Sequence, residues 1–297
     1  MADTSSHTYS AAGLLDMPGF WDGLAQELQD LLTVHSSIPA EVHYLADIRH
    51  WVLIQMAIAL HFENQRDNRR PRLSPKLLLQ ALDGTGIASR NTVQAFLREL
   101  TRVQFTDLPP RETVRQRAPQ VSEKSKKLML IYLGIHLRAL DTIDGGNRSP
   151  FLSNTPMFLP YLQPCFARRI CVSPAWYSPP AEIKCFTNSA SGSSILHDLV
   201  LASQHQQADA ADRIWIGPVS TAKLSQRYQV STAHVARMLS KARKLDLMGW
   251  ARPGRRGDCW LSARLARSYL RWQAEKLAAL SVAYSEARAA FEAENRA

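Results

Sequence analysis

Two stretches of the chain place basic and amide side chains at intervals that suit one face of a helix. In the first stretch they recur about every four residues and comprise Ser89, Arg90, Asn91, Gln94, Arg98 and Arg102. In the second they comprise Ser231, Thr232, His234, Arg237, Lys241 and Lys244. Arginine binds guanine, and asparagine or glutamine binds adenine, through paired hydrogen bonds in the major groove. Each stretch therefore predicts a helix that reads bases in duplex DNA.

An arginine-rich segment follows each stretch. In the second half it covers residues 249–260, where Pro253 and Gly254 predict a turn flanked by Arg252, Arg255 and Arg256. In the first half it contains Arg115 and Arg117. Such a segment is typical of a β-hairpin whose tip lies along the DNA backbone or minor groove. Seven basic residues and one acidic residue lie between positions 237 and 256, against six and three between positions 90 and 117, so we expect the second half to contribute more electrostatic affinity.

Signals for catalysis or metal binding are missing from the sequence. The four cysteines, Cys165, Cys171, Cys185 and Cys259, form no CxxC pair and stand beside no histidine cluster. The chain has no glycine-rich phosphate loop, HExxH motif or nucleophile elbow. We therefore expect reduced thiols, no metal, no cofactor and no enzymatic activity.

The charge balance favours a polyanionic partner. Lysine and arginine number 36 against 26 acidic residues, which gives a net charge of +10 in 297 residues. Nucleic acid and an anionic membrane surface both fit this excess. No run approaches the ~20 apolar residues that span a bilayer, and residues 1–10 lack the features of a signal peptide. We expect a cytoplasmic, nucleoid-associated protein that binds double-stranded DNA and no membrane.

The apolar periodicity divides the chain into four parts. Residues 1–44 form an N-terminal helical segment with an apolar stripe from Leu14 to Val34. Residues 45–143 hold helices over 48–64, 74–83 and 90–103 and a long helix from Ser122 to Gly145-Gly146. Residues 144–191 hold seven of the 16 prolines together with many aromatic residues, and predict an ordered, mainly extended connector.

Residues 192–297 repeat the order of the first half. They predict a helix over 195–208, a strand at Trp215-Ile216, helices over 220–228 and 232–246, and a long helix from Ser262 to the end. In that last helix Leu270, Leu277, Tyr284 and Phe291 recur every seven residues, with Leu280 and Ala287 between them, as in a coiled-coil seam. The seam is expected to join the two halves, and a seam to a second chain is the alternative.

An internal repeat is the strongest organising signal. Five apolar positions, Val93, Phe96, Leu97, Leu100 and Val103, match five others at a constant offset of 142 residues, and Ser89 matches Ser231 at the same offset. Val121-Ser122 and Leu261-Ser262 both open a long helix. Chance similarity between amphipathic helices is the alternative, but three anchors in the same order favour duplication.

The second copy resembles MarR-type winged helix-turn-helix transcriptional regulators. The residues that carry the resemblance are the run 245–250, Leu-Asp-Leu-Met-Gly-Trp, and Leu261-Ser262; Val121-Ser122-Glu123-Lys124 resembles the same helix start in the first copy. The hairpin departs from the family, since Asp258 follows Arg255-Arg256 instead of the usual Asp-x-Arg. The resemblance implies a mainly α fold with small β-wings (α+β), in which two tandem winged units related by a pseudo-two-fold meet through long central helices.

The resemblance also implies a function. We expect a sequence-specific regulator, in repressor form, that reads two non-identical half-sites as a monomeric pseudo-dimer and responds to a small-molecule effector. A plasmid-type replication initiator with tandem winged helices and a winged-helix interaction protein are the alternatives. Weak candidates for an effector pocket are the aromatic and histidine side chains near the connector, namely Trp51, His136, Trp176 and Tyr177.

Overall fold

The computed structural model describes residues 4–107 and 119–296. The chain is 67% helix with small antiparallel sheets, which agrees with the predicted mainly α, α+β class. The N-terminal segment forms α1 (Ala11–Leu15), α2 (Phe20–Ser37) and α3 (Pro39–Leu45). The predicted apolar stripe thus spans two helices, and its members Leu14, Leu24 and Leu28 are buried.

The described residues of the first half form four helices and one pair of two-residue strands. Their bounds are α4 (Ile48–Arg66), α5 (Pro75–Ala81), α6 (Arg90–Arg102), β1 (Thr106–Asp107), β2 (Gln120–Val121) and α7 (Glu123–Asp144). Gly145 ends α7 in the left-handed conformation, with φ of 75°, which a glycine adopts without steric cost. These helix bounds lie within a few residues of the predicted ones.

The prediction of an extended connector is wrong. The segment folds into α8 (Arg148–Asn154), a 3-10 turn (Pro156–Phe158), α9 (Leu159–Ile170), α10 (Pro174–Tyr177) and α11 (Ala181–Thr187). Several of its prolines stand at or just before the first turn of a helix, where the missing N–H has no partner to lose and the fixed φ is already helical. In this segment only Pro164 lies beyond the first turn of its helix. The segment is ordered, as predicted, and α9 packs between α4 and a long C-terminal helix.

The second half contains α12 (Gly192–Leu201), β3 (Arg213–Gly217), α13 (Thr221–Arg227), α14 (Thr232–Lys244), β4 (Met248–Arg252), β5 (Arg256–Ser262) and α15 (Ala263–Arg296). The three strands form an antiparallel sheet in the order β3-β5-β4. The strand predicted at Trp215-Ile216 is confirmed, whereas α12 ends seven residues before the predicted position 208.

Matching serines cap matching helices in the two halves. Ser89 and Ser231 accept a hydrogen bond from the backbone N–H three residues later, at 3.3 and 3.1 Å. Ser74 and Ser220 do the same for α5 and α13, and Ser122 and Ser262 do the same for α7 and α15. Each cap contributes about 1 kcal/mol. The helix starts are therefore set by the same local chemistry in both halves.

The backbone after α6 and α14 also follows one course. Gln104 and Asp246 both adopt a positive φ, of 60° and 53°. The next residue then donates back to the helix, Phe105 N to Leu100 O at 2.8 Å and Leu247 N to Ala242 O at 3.0 Å. The first strand pair that follows is Thr106 with Val121 in one half and Met248 with Leu261 in the other. These features recur at the offsets of the sequence repeat.

The heptad seam of α15 is filled by its own chain. Leu277, Leu280 and Ala287 are fully buried, and Tyr284 packs edge-to-face on Phe158 with ring centroids 5.4 Å apart. Helix α9 and the N-terminal α1 supply most of the surface that covers α15. Helices α7 and α15 touch over a short stretch only. The connector and the N-terminal segment thus occupy much of the space that the sequence predicts for a direct interface of long helices.

Candidate functional site

Helix α14 presents one buried and one basic face. Its apolar residues Val235, Met238, Leu239 and Ala242 are buried. Arg237, Lys241 and Lys244, predicted to contact DNA, are exposed on the other face together with Arg243. Thr232 is exposed at the helix start and donates to Ser225 Oγ of α13 at 3.2 Å.

His234 lies apart from that basic face. It is half-buried, and its Nε2 is 3.2 Å from the carbonyl oxygen of Ala190 in the turn before α12. This contact anchors α14 to the connector. The sequence predicts His234 as a DNA contact, and the structure gives its ring a partner inside the protein.

The hairpin formed by β4 and β5 carries the remaining basic residues. Arg252 and Arg256 are exposed and stand directly opposite each other across the two strands. Arg255, in the left-handed conformation with φ of 64°, folds back so that its Nη2 donates to Ala236 O of α14 at 3.2 Å. Its guanidinium carbon lies 5.8 Å from the centre of the Trp250 ring. Arg255 therefore ties the hairpin to the helix.

A groove of about 340 Å³ runs between the hairpin and α14. Arg213, Arg243, Arg252 and Arg255 line it, and Asp246 is the acidic residue on its wall. Arg213 is held by the ring of Trp260, 4.8 Å from its guanidinium carbon. Four guanidinium groups around a concave surface make a site with strong attraction for anions.

Six cations of α14 and the hairpin are exposed and lack an acidic partner in the described part of the chain. Among the residues that the structure describes, this holds for Arg237, Lys241, Arg243, Lys244, Arg252 and Arg256. Some exposed arginines elsewhere are paired, for example Arg138 with Asp30 and Arg227 with Asp198, both at 2.8 Å. Others, such as Arg271 of α15, are also unpaired among the described residues. What distinguishes α14 and the hairpin is that six unpaired cations lie on two adjacent elements.

Helix α6 repeats this arrangement in a weaker form. Arg90, Asn91 and Arg98 are exposed, Gln94 is half-buried, and neither Arg90 nor Arg98 has an ion-pair partner in the described part of the chain. Arg102 is held by Glu99 on the same helix, at 2.8 Å for one of the two hydrogen bonds. Arg115 and Arg117, predicted for the first hairpin, lie outside the described residues.

Three of the four pocket candidates lie on one interior cavity. Trp51, His136 and Trp176 line a space of about 180 Å³ between α4, α7, α10, α12 and α15, whereas Tyr177 is not among its wall residues. Trp51 donates to Tyr132 Oη at 3.1 Å, and its ring centroid lies 4.7 Å from that of Trp176. The cavity therefore lies where both halves and the connector meet.

Sequence patterns missed the charged pair beside this cavity. Lys276 Nζ lies 2.6 Å from Glu27 Oε1, and both side chains are almost completely buried. His136 Nδ1 lies 3.2 Å from the other oxygen of Glu27, although not aligned as a hydrogen bond. Burial raises the pKa of Glu27, but Lys276 and His136 outweigh burial and lower it to about 2. The sequence did contain a signal for this pair: a charged residue directly precedes an apolar residue of each stripe, Glu27 before Leu28 and Lys276 before Leu277.

Comparisons of the chain with protein-family models, with curated proteins and with solved structures give no match. In the described ranges, no group of three or more histidine, cysteine or acidic side chains is placed to hold a metal ion. None of the described helices combines the length and the apolar character needed to cross a bilayer. All four cysteines are free thiols.

Proposed function

We propose that this protein is a sequence-specific double-stranded DNA-binding transcriptional regulator built from two diverged winged helix-turn-helix units. Helix α14 and the β4–β5 hairpin would form one reading surface, and α6 with the β1–β2 strand pair would form the other. The observation that carries the proposal is the set of exposed cations on α14 and the hairpin that have no acidic partner in the described residues.

The order of elements in the second half supports this assignment. It runs helix, strand, helix, helix, strand, strand, helix, and the strands are paired in the order β3-β5-β4. Residues 228–231 form a short turn between α13 and α14, as between the two helices of a helix-turn-helix motif. In that motif the second helix enters the major groove and a hairpin after it reaches the backbone.

The hairpin tip supports binding to an anion. Arg252 and Arg256 are cross-strand neighbours, and like charges at directly opposed positions destabilise a strand pair. A phosphate between the two guanidinium groups would convert this repulsion into two charge-assisted hydrogen bonds. The pair of arginines at the tip therefore favours binding of an anion, although it lowers the stability of the free hairpin.

The first half supports a second, weaker reading surface. The caps, the positive φ after the helix and the first strand pair recur in both halves, so α6 is the counterpart of α14. Because the side chains differ between the halves, the two half-sites would differ in sequence. Two recognition helices of one chain would contact the duplex about one turn, or ~34 Å, apart.

Selection of genomic fragments by the full-length protein tests this proposal. Purified protein is incubated with fragmented genomic DNA at rising salt, and the bound fragments are sequenced. We expect enrichment of a few promoter regions, with affinity that falls ~10³–10⁵-fold between 50 and 200 mM salt if six to ten phosphates are contacted. A strict palindrome bound by two chains would contradict the pseudo-dimer, and clustered direct repeats beside an origin would contradict the regulator. Absence of enrichment at low salt would contradict DNA binding.

A further inference from the structure

The interior cavity has the dimensions of a site for a small organic molecule. Its volume is about 180 Å³, and an apolar cavity of ~150 Å³ is known to hold one benzene molecule. One or two fused rings therefore fit. Among its wall residues Ile131 of α7 is 46% exposed, so the wall reaches the molecular surface on the side of α7.

The shape of the wall favours a planar molecule. Trp51, Trp176 and Trp272 form a continuous aromatic column, with centroid separations of 4.7 Å between the first two and 4.4 Å between the last two. The rings of Trp176 and Trp272 are nearly parallel, at 22°. Aromatic surfaces of this kind bind flat rings by offset stacking or edge contacts.

The wall also carries buried polar atoms that no part of the described chain satisfies. They are Nε1 of Trp176 and of Trp272, Nδ1 and Nε2 of His136, and both Oε1 and Nε2 of Gln273. Gln273 and His136 have no exposed surface. Buried polar groups in folded proteins nearly always have a hydrogen-bond partner. An amide with neither of its polar atoms paired therefore points to a partner that occupies the cavity.

Water alone matches this wall poorly. A space of this size corresponds to about six waters at ~30 Å³ each, and a buried water needs two to four polar partners. The wall offers six unpaired polar atoms among many aliphatic and aromatic groups. A molecule with an apolar ring and a polar edge satisfies both kinds of surface.

The local charges select against an ionic ligand. Glu27 and Lys276 neutralise each other at 2.6 Å, and burial lowers the pKa of His136 so that its ring is neutral at physiological pH. A further charge here would be buried without a counter-ion, which is strongly unfavourable. The occupant must therefore be uncharged.

The positions of the protons define the polar edge. With Nδ1 of His136 beside the carboxylate of Glu27, the ring proton belongs on Nδ1 and leaves Nε2 as an acceptor. The two indole N–H groups are donors only, and the Gln273 amide is both a donor and an acceptor. We propose that this cavity binds an uncharged, planar molecule of one or two rings that presents both a hydrogen-bond donor and an acceptor.

The site would also join the two halves. Its wall combines α4 and α7 of the first half with α12 and α15 of the second, so an occupant would bias how the two proposed reading surfaces are spaced. That regulatory consequence rests on the proposed function. Ligand binding itself does not, and it is measured without DNA.

The test follows the indole N–H resonances of the ¹⁵N-labelled full-length protein during titration. The probes are three neutral molecules, phenol, indole and 2-quinolone, and the anion quinoline-2-carboxylate. We expect at least 2-quinolone, which carries a lactam N–H and C=O, to shift the Trp176 and Trp272 resonances saturably at or below ~1 mM. The anion should leave both resonances in place. Absence of shifts with all three neutral probes, or equal binding of the anion, would overturn the proposal.

Two variants separate a ligand contact from a packing role. Gln273→Met removes the unpaired amide at similar volume and should weaken 2-quinolone about tenfold, the effect of one lost hydrogen bond of ~1.4 kcal/mol. Gln163→Met is the control, because Gln163 is equally buried but bonds Gln55 and does not line the cavity; it should bind 2-quinolone as the wild type does. Unchanged affinity in Gln273→Met would contradict the proposed site. If Gln273→Met does not fold, N-methyl-2-quinolone, which lacks the donor, makes the same test on the wild type.

Discussion

The described backbone around α6 and around α14 follows the same course, but the two helices differ in the charges that they carry. At the repeat offset, Glu99 of α6 corresponds to Lys241 of α14, and Arg102 corresponds to Lys244. In the first half the acid and the base pair with each other, whereas in the second both positions are basic and exposed. The strands behind them also differ, with two residues each in β1 and β2 against five and seven in β4 and β5.

This comparison shows that the position of each helix and its expected affinity for DNA have different origins. The caps, the positive φ and the strand pairing set where each helix lies, and they are common to both halves. Affinity for a polyanion depends on the net charge that reaches the phosphates. If the proposed function is right, the second half supplies most of the affinity and the first half supplies mainly position.

The largest effect on DNA affinity should come from lowering the positive charge of α14. Arg237→Ala combined with Lys241→Glu removes two exposed cations and installs the acid of the first half, so affinity for the selected DNA should fall about 100-fold or more. Fluorescence anisotropy with a labelled duplex measures it. The control is Arg138→Ala with Arg296→Glu, which makes the same change of net charge at two arginines that are exposed but held by acids. An equal loss in the control would mean that only the overall charge matters.

The hairpin should show a smaller loss of affinity together with a gain in stability. Arg252→Thr relieves the repulsion from Arg256 directly opposite it, and threonine favours strands. We expect about tenfold weaker DNA binding, a salt slope smaller by about one, and a thermal midpoint at or above that of the wild type. A fall in the midpoint would show that the pair stabilises the hairpin by itself.

In the first half, a single substitution on α6 should raise the affinity for DNA. Glu99→Lys replaces the acid of α6 by the base that α14 has at the matching position, Lys241, so affinity for random-sequence duplex at low salt should rise by a few-fold to about tenfold. Glu275→Lys is the control, because it makes the same change of charge on α15, far along the chain from α6. If both variants bind equally well, α6 does not face the DNA.

Local chemistry made much of this fold predictable. A capping serine and its N–H partner are only three residues apart. Ser89, Ser122 and Ser231 therefore predict the starts of their helices from the local sequence alone. The helices of the connector were not predicted, because seven prolines in 48 residues favour an extended chain, although a proline at the first turn of a helix favours the helix. The Glu27–Lys276 pair joins residues 249 positions apart, and no local pattern encodes such a distance. The contact of His234 with Ala190 could not be predicted for the same reason, since Ala190 belongs to another segment.

The smallest effect near neutral pH should be the contribution of the buried His197 to the pH dependence of the free energy of unfolding. His197 of α12 is buried, with Nδ1 2.6 Å from Tyr269 Oη, and its charged neighbours include Lys276 and Glu27. Burial, followed by Lys276, lowers its pKa from 6.5 to about 3. Above pH 6.5 the histidine is neutral in both the folded and the unfolded chain, and it adds no pH dependence.

Below pH 6.5 the unfolded chain takes up a proton at this position and the folded chain does not. The free energy of unfolding should therefore fall by about 1.4 kcal/mol per pH unit for this group, or about 2 kcal/mol between pH 7 and 5. Urea denaturation at both values measures the loss, which should shrink by that amount in His197→Gln and persist in the exposed control His205→Gln. An unchanged loss in His197→Gln would place the acid sensitivity elsewhere, in His35 or His61, whose pKa values burial also lowers to about 4. The arginines and lysines on α6 and α14 keep their charge between pH 7 and 5. If DNA binding weakens at pH 5 in parallel with the loss of stability, the cause therefore lies in the interior between the halves and not on these surfaces.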